Sequence, residues 1–264
     1  MTERQKEILK LLGRHQELSV SDLSSHFGVS GVTVRGDLDH LQDEGFLRRV
    51  HGGAVLHGRD DIARRIGINY ENKISIAERA AAYVRSGETV FIEAGSANAL
   101  LARQLARRSG IQVVTNNVFI TRQLKDTEVE VILLGGVYQH DSECVVGSLA
   151  RIGMENLNFT KAFIGVDGVT AASGFTCSNM LRAEIAREAI ARSSESFVVT
   201  DSTKFGKIAL TQVCPLSGID HIVTDADITR EIRRELRNAG VTVDAGGSVG
   251  AGGSVDAGRS VNEE

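Results

Sequence analysis

Two groups of residues in this chain could do chemistry. Near the N-terminus, Arg48, Arg49 and His51 precede Gly52-Gly53, and Ser30, Thr33 and Arg35 stand close together upstream. Cationic and hydroxyl side chains grouped in this way suit phosphate oxygens and base edges. Further along, Gly95-Ser96 with Asn98, Gly135-Gly136, Asp167-Gly168 and Lys204 each follow a short apolar run. Where a strand ends and a helix opens, as at Gly95-Ser96, backbone N–H groups and the helix dipole point at whatever anion sits there. Paired glycines admit close backbone approach, although turning the chain is their commoner use. A Gly-Ser turn is often a plain cap, and a lone Asp or Lys is often a solvated loop charge; their order along the chain favours one binding site. His140, Asp141, Glu143 and Cys144 invite a metal reading, but neighbouring side chains on a loop diverge and no pair has a spacing such as H-E-x-x-H. Neither a metal nor another cofactor is expected.

The first group needs a frame to hold it. In RQKEILKLL, Ile8, Leu9, Leu11 and Leu12 mark a first helix, and Leu18 to Val20 are extended. Ser21 is read as the cap of a second helix closed by Gly28, with Val29 buried after it. Ser30 caps a third helix, in which Val34, Leu38 and Leu41 face inward and leave Thr33, Arg35 and Asp39 outside. GFLRRVHGGAVL then forms a β-hairpin around its glycines. Helix, helix, turn, helix and hairpin is the order of a winged helix-turn-helix, whose third helix fits a major groove ~12 Å wide. A unit of this kind also serves protein contacts alone in some settings.

The second group needs a sheet. TVFIE (89–93), QVVT (112–115), EVILL (130–134), KAFIGV (161–166), SFVVTD (196–201) and DHIVTD (220–225) are continuous β-branched runs of the kind buried in parallel sheets. Amphipathic helical patterns separate them, such as ANALLARQLARR and NMLRAEIAREAIARS. That alternation predicts a doubly wound α/β domain, where ligands bind beyond the carboxyl ends of the strands.

Composition sets the outer limits. The chain has 264 residues, 30 Lys and Arg against 34 Asp and Glu, and a net charge of −4, so a nucleic-acid site must be a local patch. Cys144, Cys177 and Cys214 lack C-x-x-C spacing, which fits a reducing cytoplasm. Neither a leader peptide nor a membrane span is expected, the longest apolar runs falling well short of ~18 residues. The expected division is a DNA-facing domain over 1–56, a linker over 57–72 with room for a short helix, an α/β domain over 73–244 and a Gly/Ser-rich disordered tail over 245–264.

RQKEILKLL followed by LSVSDLSSHFGVSGVTVRGDLDHLQDEGFLRRVHGGA resembles the N-terminal signature of the DeoR-type bacterial transcription repressors. FIEAGSANALLARQL, VVTNN, ILLGG, FIGVDGV, GFT and TDSTKFGK, in that order, resemble their effector domain, which has a ribose-5-phosphate isomerase-like core. The resemblance implies a repressor of a carbohydrate-metabolism operon that is a homo-oligomer, a dimer or tetramer, binds double-stranded operator DNA and is released by a phosphorylated sugar. It also implies ligand roles for Glu184 and Lys204. Val169 and Thr170 stand where the isomerases continue toward an acidic pair, and threonine is no base for a carbon acid. The expectation is therefore a sensor and no enzyme. The alternatives are an isomerase-like enzyme with a DNA-binding appendage and, because Ala97 interrupts the hydroxyl run of the phosphate loop, a ligand-insensitive repressor. Gly31 and Gly36 replace the larger or basic residues common in this family, and Gly36 removes a phosphate contact that the pattern implies.

Overall fold

A computed structural model describes residues 1–15, 17–56 and 62–246. The expected tail from 247 onward and residues 57–61 of the expected linker lie outside them.

The N-terminal unit contains α1 (Glu3–His15), β1 (Glu17–Ser19), α2 (Val20–Phe27), α3 (Gly31–Asp43), β2 (Arg48–Val50) and β3 (Gly53–Val55). The three strands form an antiparallel sheet in the order β1-β3-β2, so the hairpin is a wing on a helix-turn-helix. Ile8, Leu9, Leu12, Leu23, Val34, Leu38 and Leu41 fill its core. Asp37 of α3 accepts from Arg4 and, at 3.0 Å, from Gln5 Nε2, which fixes α1 to α3. Ser30 caps α3 as expected, accepting from Thr33 N at 3.2 Å. The cap of α2 is Ser19 rather than Ser21, because β1 ends in extended backbone at Ser19, whose Oγ accepts from Asp22 N at 3.0 Å. Val29 is half-buried at the edge of the core, not enclosed by it.

The segment read as a linker is built into the body. It holds α4 (Ile62–Gly67) and the start of α5 (Tyr70–Ala82), with Ile62, Ile66 and Tyr70 buried. The domain beyond it comprises β4 (Thr89–Ile92), α6 (Ser96–Leu105), β5 (Gln112–Thr115), α7 (Val118–Gln123), β6 (Glu130–Leu133), β7 (Val137–Gln139), β8 (Cys144–Val146), α8 (Ser148–Glu155), β9 (Lys161–Ile164), β10 (Gly168–Thr170), β11 (Gly174–Cys177), α9 (Met180–Arg192), β12 (Glu195–Val199), β13 (Thr211–Cys214), β14 (His221–Thr224), α10 (Arg230–Asn238) and β15 (Thr242–Ala245).

Seven of these strands form one parallel sheet in the order β15-β14-β12-β9-β4-β5-β6. The six expected strands are all in it. The seventh, β15, pairs Ala245 with Thr224, so the ordered domain includes a residue assigned to the tail. Successive strand residues alternate between two apolar layers. Val90, Ile92, Val113, Phe163, Phe197 and Val199 join the cluster of α4 to α7, while Phe91, Val114, Ala162, Ile164 and Val198 join that of α8 to α10. Burial on both faces is why these strands read as unbroken apolar runs. Two antiparallel ribbons, β7–β8 and β10-β11-β13, extend from the sheet.

The winged unit docks on this domain at two places. Glu44 bonds Arg103 at 3.1 Å and accepts from Gln123 Nε2 at 3.0 Å through its carbonyl, and Phe46 meets Phe119 edge-on at 5.6 Å. At the second place α1 lies across α4.

Candidate functional site

Numbered by their own succession, the parallel strands β4, β5, β6, β9, β12, β14 and β15 stand in the spatial order 3-2-1-4-5-6-7. The connections reverse direction between β4 and β9, and beyond that point the loops diverge and leave a crevice. Gly165 makes the crevice narrow: a Cβ there would lie 2.3 Å from Ala94 O. The cavity at this place measures about 240 Å³ and is lined from three strand ends, by Ala94 to Ala97, by Gly165 to Asp167, and by Val199 to Asp201 with Thr203 and Lys204.

Gly95 opens α6 with no side chain bonded to its first amides, and Ser96 and Ala97 face the cavity. Asp167 accepts from Ser178 N at 2.9 Å, and Lys204 Nζ lies 4.0 Å from its Oδ1. Burial pushes the Asp167 carboxyl up, but Arg182, the Ser178 N–H, Arg65 and Lys204 together hold it below the ordinary value. Thus Gly95, Ser96, Asp167 and Lys204, expected at one edge of the sheet, are brought together.

Other expected residues stand elsewhere. Asn98 is fully buried and donates to Glu93 O at 2.8 Å and Phe163 O at 3.1 Å, so it fastens β4 to β9 instead of reaching into the cavity. Gly135 and Gly136 are exposed outside the cavity; a Cβ at Gly136 would meet Val146 O at 2.5 Å, which ties that glycine to the β7–β8 ribbon. Gly168 likewise serves packing, since its Cβ would lie 2.4 Å from Lys207 O. Glu184 is half-buried on α9 and does not line the cavity. The metal candidates are also dispersed: Glu143 pairs with Arg122 and Cys144 is in the core.

The sequence reading missed most of the cations. Arg65, Lys73, Arg182 and Lys207 line the cavity with Lys204, against the carboxylates of Asp167 and Asp201. Arg182 donates from Nε and Nη2 to Glu93 Oε1, both at 3.1 Å, and Gly165 N donates to Oε2 at 3.1 Å. Burial opposes the charge on Arg182, but Glu93 and its neighbours hold it well above its usual value. Burial pushes Lys73 down to about 8, against the opposing pull of Asp201. The advance signal for Arg65, Lys73 and Arg182 was a basic side chain within a helical pattern, which every solvated helix shares, and Lys207 stood at the end of TDSTKFGK, where a loop lysine has no spacing to distinguish it.

On the winged unit, Thr33 and Arg35 are exposed on α3 with its cap Ser30, and Arg48 and His51 are exposed on the hairpin. Arg49 is more occupied: its guanidinium pairs with Asp39 and donates to Arg35 O at 3.2 Å and Gly53 O at 3.3 Å. It braces the wing against α3.

Comparison with known proteins agrees with this division. Residues 4–59 match the DeoR-like helix-turn-helix domain and residues 68–226 the DeoR C terminal sensor domain. The chain is 33% identical to the HTH-type transcriptional regulator GlpR of Haloferax volcanii over 91% of its own length and 96% of the relative's. It is 32% identical to the lactose phosphotransferase system repressor of Lactococcus lactis, over 86% and 91% respectively. A weaker likeness, 16% identical with a TM-score of 0.39, joins 52% of this chain to 55% of ribose 5-phosphate isomerase A from Methanocaldococcus jannaschii. The chain belongs to the DeoR family and is a DNA-binding transcriptional regulator, with a winged helix-turn-helix to read DNA and an α/β domain as its sensor.

Proposed function

We propose that this regulator represses a carbohydrate-metabolism operon and is released by a phosphorylated sugar bound at the β4/β9 crevice. The observation that carries the ligand class is the meeting of the α6 N-terminus with Lys73, Lys204 and Lys207 in one cavity. A helix N-terminus and convergent ammonium groups suit a phosphate dianion, and Asp167 and Asp201 suit sugar hydroxyls as acceptors. The name of one relative, a lactose phosphotransferase system repressor, supports the carbohydrate setting.

On the DNA side, Ser30, Thr33, Arg35, Arg48 and His51 make the contacts, and Arg49 holds the wing in place for them. Two winged units matching two half-sites require at least a dimer. Free Cys144, Cys177 and Cys214 suit action in the cytoplasm. Calorimetric titration with ribose 5-phosphate, fructose 1-phosphate and glucose 6-phosphate tests the ligand class. At least one is expected to bind wild type and to be recovered chemically unchanged, and Lys204→Ala is expected to weaken it. Binding of none, or isomerisation of the sugar, contradicts the reading.

A further inference from the structure

Lys73, in the first turns of α5, is only 5% exposed. Its Nζ donates to Ile68 O at 2.6 Å and to Arg65 O, and it lies 3.5 Å from Asp201 Oδ2. An ammonium carries three protons, so two fasten the end of α4 and the third is left toward Asp201, itself part of the cavity wall. Ile68 and the Arg65 side chain are themselves part of the cavity wall.

The opposite side of α4 lies on the DNA-reading unit. A Cβ at Gly67 would meet Leu9 O at 2.4 Å, and one at Gly13 would lie 3.1 Å from Gly67 C. Where Gly13 and Gly67 cross, the two helices therefore meet backbone to backbone. Ile62 and Ile66 share one apolar cluster with Ile8, Leu9 and Leu12, and α1 is fixed to α3 through Asp37.

We propose, resting on the reading of the crevice as a phosphorylated-ligand site, that Lys73 couples the cavity to the DNA-reading unit: it anchors the end of α4 when the cavity is empty and turns to the ligand anion when it is filled. An anion arriving beside Lys204 and Lys207 adds to the pull of Asp201 on the cavity side of the ammonium, against two neutral carbonyl oxygens on the α4 side, and hydrogen bonds between two charged groups are the stronger kind. The Arg65–Ile68 turn then loses its anchor, and α4 moves the α1 backbone it touches. This gives the ligand a different affinity for the DNA-competent and released arrangements, the only means by which it can shift between them.

Amide hydrogen exchange on the full, ligand-free chain tests this directly. Lys73→Met is expected to speed exchange at Ile66 to Ile68 and at Leu9 to Gly13 by roughly tenfold, leaving Val113 and Val198 in the central sheet unchanged. Unchanged exchange in α4 and α1 overturns the proposal. A second variant, Gly13→Ala, disturbs the α1–α4 crossing away from the cavity. Its affinity for the sugar phosphates named above is expected to stay within about twofold of wild type, while the factor by which they weaken binding to a duplex selected from a random pool falls toward one. An undiminished factor means that the signal bypasses α4 and overturns the proposal. If none of those compounds binds wild type, the ligand reading has failed on its own, and the exchange comparison alone decides the role of Lys73.

Discussion

Arg182 on α9 and Glu93 at the end of β4 meet as a buried ion pair, two guanidinium nitrogens lying 3.1 Å from one carboxylate oxygen. The pair crosses from β4 to the helix that follows the β10–β11 ribbon, and Glu93 also accepts from Gly165 N. It shapes the floor of the crevice as well as lining it.

Breaking that pair leaves an uncompensated charge in the interior, which typically costs about 3–5 kcal/mol. Glu93→Gln is expected to lose most of that in urea unfolding at neutral pH. A loss under about 1 kcal/mol shows instead that water reaches Arg182 and that the floor is open.

Gly165→Ala pushes a methyl group against Ala94 O at the point where β4 and β9 diverge. The strain of such overpacking is about 1–3 kcal/mol, and sugar-phosphate binding is expected to fall with stability because the crevice is forced apart. Wild-type affinity in this variant removes the crevice as the binding site.

Arg48 and Arg49 are expected to separate in function. Arg48→Ala leaves thermal unfolding unchanged and lowers the salt dependence of DNA binding by about 0.9 in log–log slope, one phosphate contact. Arg49→Ala frees the wing from Asp39 and the Arg35 carbonyl on α3, so it lowers the unfolding temperature and weakens DNA binding together. If Arg49→Ala instead changes the salt slope alone, that side chain contacts DNA directly.

Six parallel strands were legible as uninterrupted β-branched and apolar runs, the inner ones because both their faces are buried; β6 kept such a run although it is an edge strand with Leu133 exposed. β15 was not: Thr242 to Ala245 is a half-covered edge strand carrying Asp244, and the glycines that follow it look like a tail from their first residue. The antiparallel ribbons are three or four residues long, too short to show a period. At the crevice, residues placed by strand ends were legible, namely Gly95, Ser96, Asp167 and Lys204. Lys73 and Arg182 were not, because helical spacing cannot distinguish a charge in solvent from one turned inward to a partner brought by another element. Ser19 and Ser21 were equally good caps by type, and the choice between them is made by β1 pairing with β3.

Lys73 also gives the protein a pH signature. Its value near 8 in the folded chain lies below the ordinary 10.5, so between those two pH values the unfolded chain binds more protons and stability rises with pH. Asp201, Lys204 and Arg65 face the same ammonium. The full effect is about 3 kcal/mol, present above the unfolded value and lost as pH falls through 8. Wild type is expected to gain stability relative to Lys73→Met across that window; parallel curves mean that Lys73 is solvated.

If one molecule joins operator binding to a phosphorylated ligand in the crevice, reciprocal linkage measures that coupling. The affinity for a duplex selected by the full chain is measured with and without saturating sugar phosphate, and the affinity for that sugar phosphate with and without saturating duplex. Linkage requires the two factors to be equal, and the expectation is weakening in both directions by the same factor, on the order of 5- to 150-fold. A sugar phosphate that binds the crevice while leaving DNA affinity unchanged shows that the two sites are not coupled.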